Sequence, residues 1–182
     1  MHASRCPTEC RLAYSPDPWK CTVSLRFSTD ENGQPLGQTR NVPFGPIIYS
    51  KAHVEDRIRR AQLAILNPRK NLQKFLDGNE ESETTDLTFS TNCVSLQISG
   101  TDVADLSFVD LPGRFVPYSM FKYSFAVLKV RFIGLIVSVS KGGHESDIEL
   151  VKNLVSSYIS KPSCLILLTV TCESRFLCWS VW

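Results

Sequence analysis

Asp105-Leu106-Ser107-Phe108-Val109-Asp110-Leu111-Pro112-Gly113 is a short apolar run that reaches a carboxylate and then turns through Pro-Gly. The run predicts a β-strand over Asp105–Val109. That strand delivers Asp110 at its carboxyl end, the side on which open α/β sheets hold their ligands. The glycine three residues later can bring its backbone N–H against an anionic group with no side chain in the way. A strand stopped by an ordinary Pro-Gly turn leaves the same string, so its meaning rests on what surrounds it.

Upstream, Cys93–Ile98 reads as a second strand, with a turn at Ser99-Gly100-Thr101-Asp102 before the run. Val54, Ile58, Ala61 and Ile65 fall at i, i+4, i+7 and i+11 and predict an amphipathic helix. Glu55 with Arg59 and Asp56 with Arg60 support it as i,i+4 pairs. Asn67-Pro68 ends the helix, because proline disfavours a helical residue before it and lacks an N–H. A shorter helical stretch covers Asn71–Leu76, and the acidic, Ser/Thr-rich Asn79–Asp86 reads as a solvated loop. Val23, Leu25 and Phe27 alternate with polar neighbours and predict a strand over Cys21–Ser28. The Pro- and Cys-rich first twenty residues read as an irregular lead-in. A turn follows at Asp30-Glu31-Asn32-Gly33, and the stretch to Tyr49, with Pro35, Pro43 and Pro46, reads as loop.

Downstream, Gly142-Gly143 precedes a helix over His144–Ile159 with Ile148, Val151, Val155 and Tyr158 on its inner stripe. Glu145, Asp147 and Glu149 sit in its first turns, where the helix dipole favours negative charge. Lys161-Pro162 ends it, and the continuous apolar run Ser163–Thr171 suits a strand covered on both faces. There is no internal repeat.

The chain of 182 residues is 43% hydrophobic, 21% charged and 10% aromatic, with a net charge of +2. This excludes a disordered tail, a collagen-like fibre and a strongly basic nucleic-acid-binding domain. No uncharged apolar run is long enough to span a bilayer. The start, MHASRCPTEC, has no apolar leader core, so a cytoplasmic location is expected. Seven cysteines in a reducing compartment read as free thiols. Cys6 with Cys10 and Cys172 with Cys178 have no histidine at zinc-ligand spacing, and His53 and His144 read as surface residues.

RCPTECRL, WKCTVSLRF, VEDRIRRAQLAILNP, TDVADLSFVDLPG and SKGGHESDIELVKNLVSSYI occur in an order that resembles the GTPase domain of the dynamin superfamily, in particular the fungal dynamin-like and Mx-like proteins. The resemblance covers roughly residues 4–113 and 135–173. It implies an α/β fold: a P-loop GTPase domain with a mixed sheet flanked by helices, here incomplete and lacking its first strand and P-loop. By resemblance, Ser4 stands where the family has the switch I threonine that meets Mg²⁺ and the γ-phosphate of GTP. Asp110, Leu111, Pro112 and Gly113 match switch II, with Asp110 holding Mg²⁺ through water. The helix from His144 corresponds to the element after switch II, and Ser163–Cys172 to the next core strand. The cofactors implied are GTP and Mg²⁺. The partners implied are a second G domain, by self-association or pairing with an intact relative, and a membrane that the parent protein remodels or severs. The family also allows contact with microtubules or other cytoskeleton and peripheral association with membranes, mitochondria included; nucleic acid is not expected.

Two of the family's motifs do not occur. There is no G-x-x-x-x-G-K-[ST] in the chain, so the phosphate cradle, its lysine and its Mg²⁺-binding hydroxyl are missing. The guanine-reading T-K-x-D is missing too, and Ser160-Lys161-Pro162-Ser163 only imitates it, preceding an apolar strand where the motif follows one. Between Gly113 and Leu135 the chain carries RFVPYSMFKYSFAVLKVRFIG, whose residues 114–133 hold four basic, no acidic and six aromatic residues. It reads as a non-family insertion at about 114–134, from a retained intron or gene-model error; a membrane-surface element or a single-stranded nucleic-acid platform are the alternatives. The tail 174–182 departs from the family in the same way. The expected organisation is therefore a partial G domain over 1–173, interrupted once, then the tail. The expected product binds GTP poorly or not at all, either as a fragment of a dynamin-type GTPase or as a non-catalytic chain that is inert or interferes by pairing with intact G domains.

Overall fold

The computed structural model describes residues 4–78, 85–112 and 145–160. Its strands are β1 (Thr8–Tyr14), β2 (Lys20–Thr29), β3 (Pro35–Pro43), β4 (Cys93–Gly100) and β5 (Leu106–Asp110). Its helices are α1 (Val54–Leu66), α2 (Leu72–Leu76) and α3 (Glu145–Ile159), with a single 3₁₀ turn at Lys51–His53 ahead of α1. The strands form one mixed sheet in the order β3-β2-β4-β1-β5. β1 runs parallel to β4, while β1–β5, β2–β4 and β2–β3 are antiparallel. The α/β class expected from the sequence is the one observed.

Register explains the core. Thr8, Cys10 and Leu12 of β1 lie opposite Val94, Leu96 and Ile98 of β4. These in turn face Leu25, Val23 and Cys21 of β2. Because side chains alternate along a strand, all of these point to one face of the sheet. α1 covers that face with Ala61, Ala64 and Ile65, all fully buried, and α2 adds Phe75. The small alanines let α1 approach the sheet closely, and full burial of a side chain such as Leu25 or Ile65 stabilises by roughly 1.5–3 kcal/mol. The predicted helical stripe is therefore the packed one, with Val54 and Ile58 partly buried against the same cluster. Asp56 holds Arg60 at 2.7 Å and Arg59 at 3.1 Å on the wet side.

α3 serves a second cluster, in which buried Val151 and Val155 pack with Phe89, Leu111, Ile148, Leu150 and Ile159. Tyr158 of α3 interacts with Cys93. Cys93 precedes Val94 by one residue and so points to the sheet face opposite α1.

Two expectations need correction. The lead-in read as irregular contains β1, a strand with partners on both sides. Its pattern is only half apolar, since Glu9 and Arg11 alternate with Thr8, Cys10 and Leu12, and nearby prolines hid it. Pro7 sits just before the strand, where its missing N–H costs nothing, and its carbonyl accepts from Val94 N at 3.0 Å. The stretch read as loop contains β3, an edge strand with Pro35 and Pro43 at its two ends, where a lost donor is tolerated. The turn after β4 joins strands that are not neighbours, because β1 lies between β4 and β5. Gly113, the segment 114–134, His144, the run Ser163–Cys172 and the tail 174–182 lie outside the described residues.

Two asparagines close polar gaps. Buried Asn92 accepts through Oδ1 from the backbone N–H of Ser28 at 2.8 Å and of Thr29 at 3.0 Å, where β2 runs past the start of β4 and bulges. Buried Asn67 ends α1 by donating to the Leu63 carbonyl at 2.8 Å and accepting from Asp86 N at 3.2 Å. A buried N–H left without such a partner costs about 1–3 kcal/mol.

Gly45 is the tightest backbone position. It adopts φ +82°, and a Cβ there would stand 1.9 Å from Arg57 Nη1 and 2.6 Å from Leu76 Cδ1. Arg57 Nη1 donates to the Phe44 carbonyl at 3.0 Å, so it cannot withdraw without losing that bond. Gly33 adopts a similar φ of +78° with nothing within 4 Å. In urea unfolding, Gly33→Ala is expected to cost about 1–2 kcal/mol, the left-handed backbone alone. Gly45→Ala should cost clearly more, and equal losses would show that Arg57 yields freely.

Candidate functional site

The antiparallel register of β1 and β5 places Thr8 opposite Asp110. The start of β1 therefore lies beside the end of β5, and the residues just before β1 lie beside the Asp110 carboxylate. Ser4 Oγ donates a hydrogen bond to Asp110 Oδ2. These residues, far apart in sequence, were the two singled out as Mg²⁺-facing, and the fold brings them into contact.

The segment carrying Ser4 is tied down behind it. The Arg5 carbonyl accepts from Ser90 N at 3.1 Å, and Arg5 Nη1 donates to Thr85 Oγ1 at 3.0 Å. Thr85 Oγ1 in turn donates to the Leu87 carbonyl at 2.8 Å. Cys6 and Pro7 are fully buried. On the other side, Leu111 packs in the α3 cluster and Pro112 is fully buried, so the chain leaving β5 is held as well. Gly113 lies outside the described residues. Arg5 and Thr85 were not singled out from the sequence; only the place of Arg5 in the RCPTE string could have pointed to it.

A hydroxyl and an exposed carboxylate are hard oxygen donors, the type that Mg²⁺ takes while keeping several waters. The pair therefore fits that cation, with Asp110 and Ser4 as the residues that would hold it. Among the described residues no three or more His, Cys, Asp or Glu gather as a metal cluster. A site built on one carboxylate, one hydroxyl and water does not require such a cluster.

Next to the site the electrostatics are those of a dry interior. Burial, with lesser contributions from Cys93 and Asp110 and against Arg5, pushes the Cys6 thiol up to about 12. Burial likewise raises Cys93, and pushes Tyr158 up to about 12. The described cysteines Cys6, Cys10, Cys21 and Cys93 are free and buried, as structural thiols rather than nucleophiles. On the same sheet face as Cys93, Glu9 accepts from Arg11 Nε at 2.9 Å and makes a 2.6 Å ion contact with Arg26 Nη1. Burial works to raise the Glu9 carboxyl, but the two arginines outweigh it and hold it below the usual carboxylate range.

A separate cavity of about 370 Å³ lies at the other end of the sheet, lined by Leu12, Trp19, Val54 and Ile98 with Lys51 and Asp102 among its polar residues. No described helix is long and apolar enough to cross a membrane.

No protein-family model matches the chain. Over 156 residues it is 24% identical to the interferon-induced GTP-binding protein Mx of Dicentrarchus labrax, a match that covers 85% of this chain and 18% of that protein. This similarity suggests a dynamin-like relationship. The chain spans less than a fifth of the relative's length.

The titrating groups fix the pH response. Glu9 has its folded value below 4.5, so the stability it contributes is full above that pH and is lost as pH falls through the folded value. The Cys6 thiol is raised from 9.0 to about 12, so its contribution is full below pH 9.0 and fades as pH climbs toward 12. Urea midpoints measured across pH should therefore fall on both flanks, and Glu9→Gln should flatten the acid flank alone. An acid flank unchanged in that variant would assign it to other carboxylates.

Proposed function

We propose that this chain is part of a dynamin-type G domain, the part that carries the two switch segments flanking Mg²⁺ and the γ-phosphate of GTP. The observation that carries the reading is the Ser4–Asp110 hydrogen bond. A hydroxyl before one strand and a carboxylate on the last residue of another meet at one end of a mixed α/β sheet, and both lie in strings that match switch I and switch II. The similarity to a GTP-binding Mx protein supports the same reading. In the intact protein a bound Mg²⁺ would supply neutralisation of charge on the phosphate oxygens. Ser4 and Asp110 would hold its coordination shell in place, and the buried Pro7 and Pro112 would keep the two segments from drifting apart.

The parent of such a domain hydrolyses GTP, associates through its G domains and remodels membranes from the cytoplasmic side, by analogy with its family. The chain itself contains neither G-x-x-x-x-G-K-[ST] nor T-K-x-D. Without the first, no lysine and no ring of backbone N–H groups cradle the phosphates; without the second, nothing reads the guanine. We therefore infer that the isolated polypeptide is deficient in GTP binding. The same absence favours a second reading, in which the chain acts without catalysis by pairing with an intact G domain.

Titration with a fluorescent GTP analogue in Mg²⁺ tests the deficiency, and no saturable binding is expected at micromolar protein. Micromolar binding that disappears in Asp110→Ala would overturn it. Co-precipitation with a full-length dynamin-like protein, run beside a GTPase assay of that protein, separates an inert fragment from an interfering partner.

A further inference from the structure

Among the described residues the arginine next to Ser4 has no counter-charge. Arg11 and Arg26 of the sheet meet Glu9, and Arg59 and Arg60 of α1 meet Asp56. Arg5 is half-buried, and its side-chain contact is a neutral one, the 3.0 Å hydrogen bond from Nη1 to Thr85 Oγ1. A cation drawn partly out of water gains from an anion placed within its reach. A phosphate on the Thr85 oxygen is such an anion. It carries close to two negative charges and three acceptor oxygens, and a guanidinium fork binds such oxygens in pairs.

Thr85 is placed to bear that group. It is half-buried and lies outside every described helix and strand. Its segment is fixed to the end of α1, because Asp86 N donates to Asn67 Oδ1 at 3.2 Å and Leu87 N to the Leu66 carbonyl at 2.9 Å. The same segment reaches the Ser4 strap a second time, through Ser90 N and the Arg5 carbonyl at 3.1 Å. A tighter hold on the Arg5 side chain is therefore felt by the backbone that carries Ser4. In the sequence Glu80, Glu81 and Glu83 precede Thr85 and Asp86 follows it, with no Lys or Arg from Phe75 to Gly113.

We propose that Thr85 is a phosphorylation site and that Arg5 captures the phosphate. The modifying enzyme is a serine/threonine kinase that selects carboxylates on the amino-terminal side of its target. In the transfer a bond forms between Thr85 Oγ1 and the γ-phosphorus of ATP, and the bond from that phosphorus to the bridging oxygen breaks. ADP leaves, and the hydroxyl proton passes to a base of the kinase. With that proton goes the 2.8 Å hydrogen bond to the Leu87 carbonyl, a neutral bond weaker than the charge-assisted pairing that replaces it. The steadier Arg5 holds Ser4 beside Asp110. Its consequence for Mg²⁺ rests on the assignment of Ser4 to switch I, whereas the capture of phosphate by Arg5 does not.

The test treats the full chain with ATP and a kinase whose substrates carry a carboxylate two residues before the target, the place of Glu83. Peptide mass spectrometry is expected to find phosphate on Thr85. Hydrogen exchange of the Ser90 amide, bonded to the Arg5 carbonyl, should then slow about tenfold. Thr85→Val should leave that exchange at its untreated rate even where Ser82 is labelled. Arg5→Gln should accept phosphate without the slowing, and Arg5→Lys, a point charge without the fork, should show part of it; circular dichroism checks the fold of each. Labelling of Ser82 or Thr84 without Thr85 would overturn the proposal. So would an unchanged Ser90 exchange in the phosphorylated chain, equal slowing in Arg5→Gln, or the same slowing produced by inorganic phosphate alone. Binding of a GTP analogue is a separate measurement, so failure here leaves the G-domain reading standing.

Discussion

β1 is the constraint on which the rest depends. It is seven residues long and only half apolar, yet it pairs in parallel with β4 and in antiparallel with β5. Without it β5 has no described partner, and Ser4 has no reason to lie near Asp110. Its parallel bond to β4 closes a loop that contains β2, β3, α1 and α2. Closing a loop of that length costs chain entropy before any contact rewards it, so β1 is stable only once the sheet around it exists.

The two faces of that sheet solve different problems. Toward α1 the rows from Cys21 to Phe27, from Val94 to Ile98 and from Thr8 to Leu12 form a dry surface, and burial of apolar area holds the helix there. The opposite face carries Glu9, Arg11, Arg26 and Ser95 in addition to Cys93. Charges there are tolerated because Glu9 meets two guanidinium groups, and breaking one partner would leave a partly buried charge exposed to the cost of desolvation. Gln62 of α1 reaches Thr8 Oγ1 at 3.1 Å, so even the polar residue at the start of β1 is satisfied from the dry side.

The candidate site follows from these packing facts rather than from a dedicated pocket. Ser4 is placed by hydrogen bonds that its neighbour Arg5 makes to Ser90 and Thr85, and Asp110 is placed by β1 pairing on one side and by Leu111 and Pro112 on the other. Nothing in the Ser4 codon neighbourhood signals this support; Ser90 and Thr85 belong to a stretch with no regular periodicity. The DLSFVDLPG string was legible because strand, carboxylate and turn are consecutive. The segment before β1 was legible only through its likeness to a family string.

By itself the sequence determined the local elements with strong periodicity. α1 lies where Val54, Ile58, Ala61 and Ile65 place it, and Asn67-Pro68 stops it. α3, β2, β4 and β5 were read within a residue or two of their observed ends. Such elements are written in neighbouring side chains, since a period of 3.6 or 2 exposes one face regardless of what covers it. The tertiary structure alone decided that Thr8–Tyr14 and Pro35–Pro43 are strands, that β1 separates β4 from β5, and that Ser4 meets Asp110. The physical reason is common to all of them. A strand with weak alternation is stabilised by hydrogen bonds to partners distant in the chain, and those partners are set by the whole sheet.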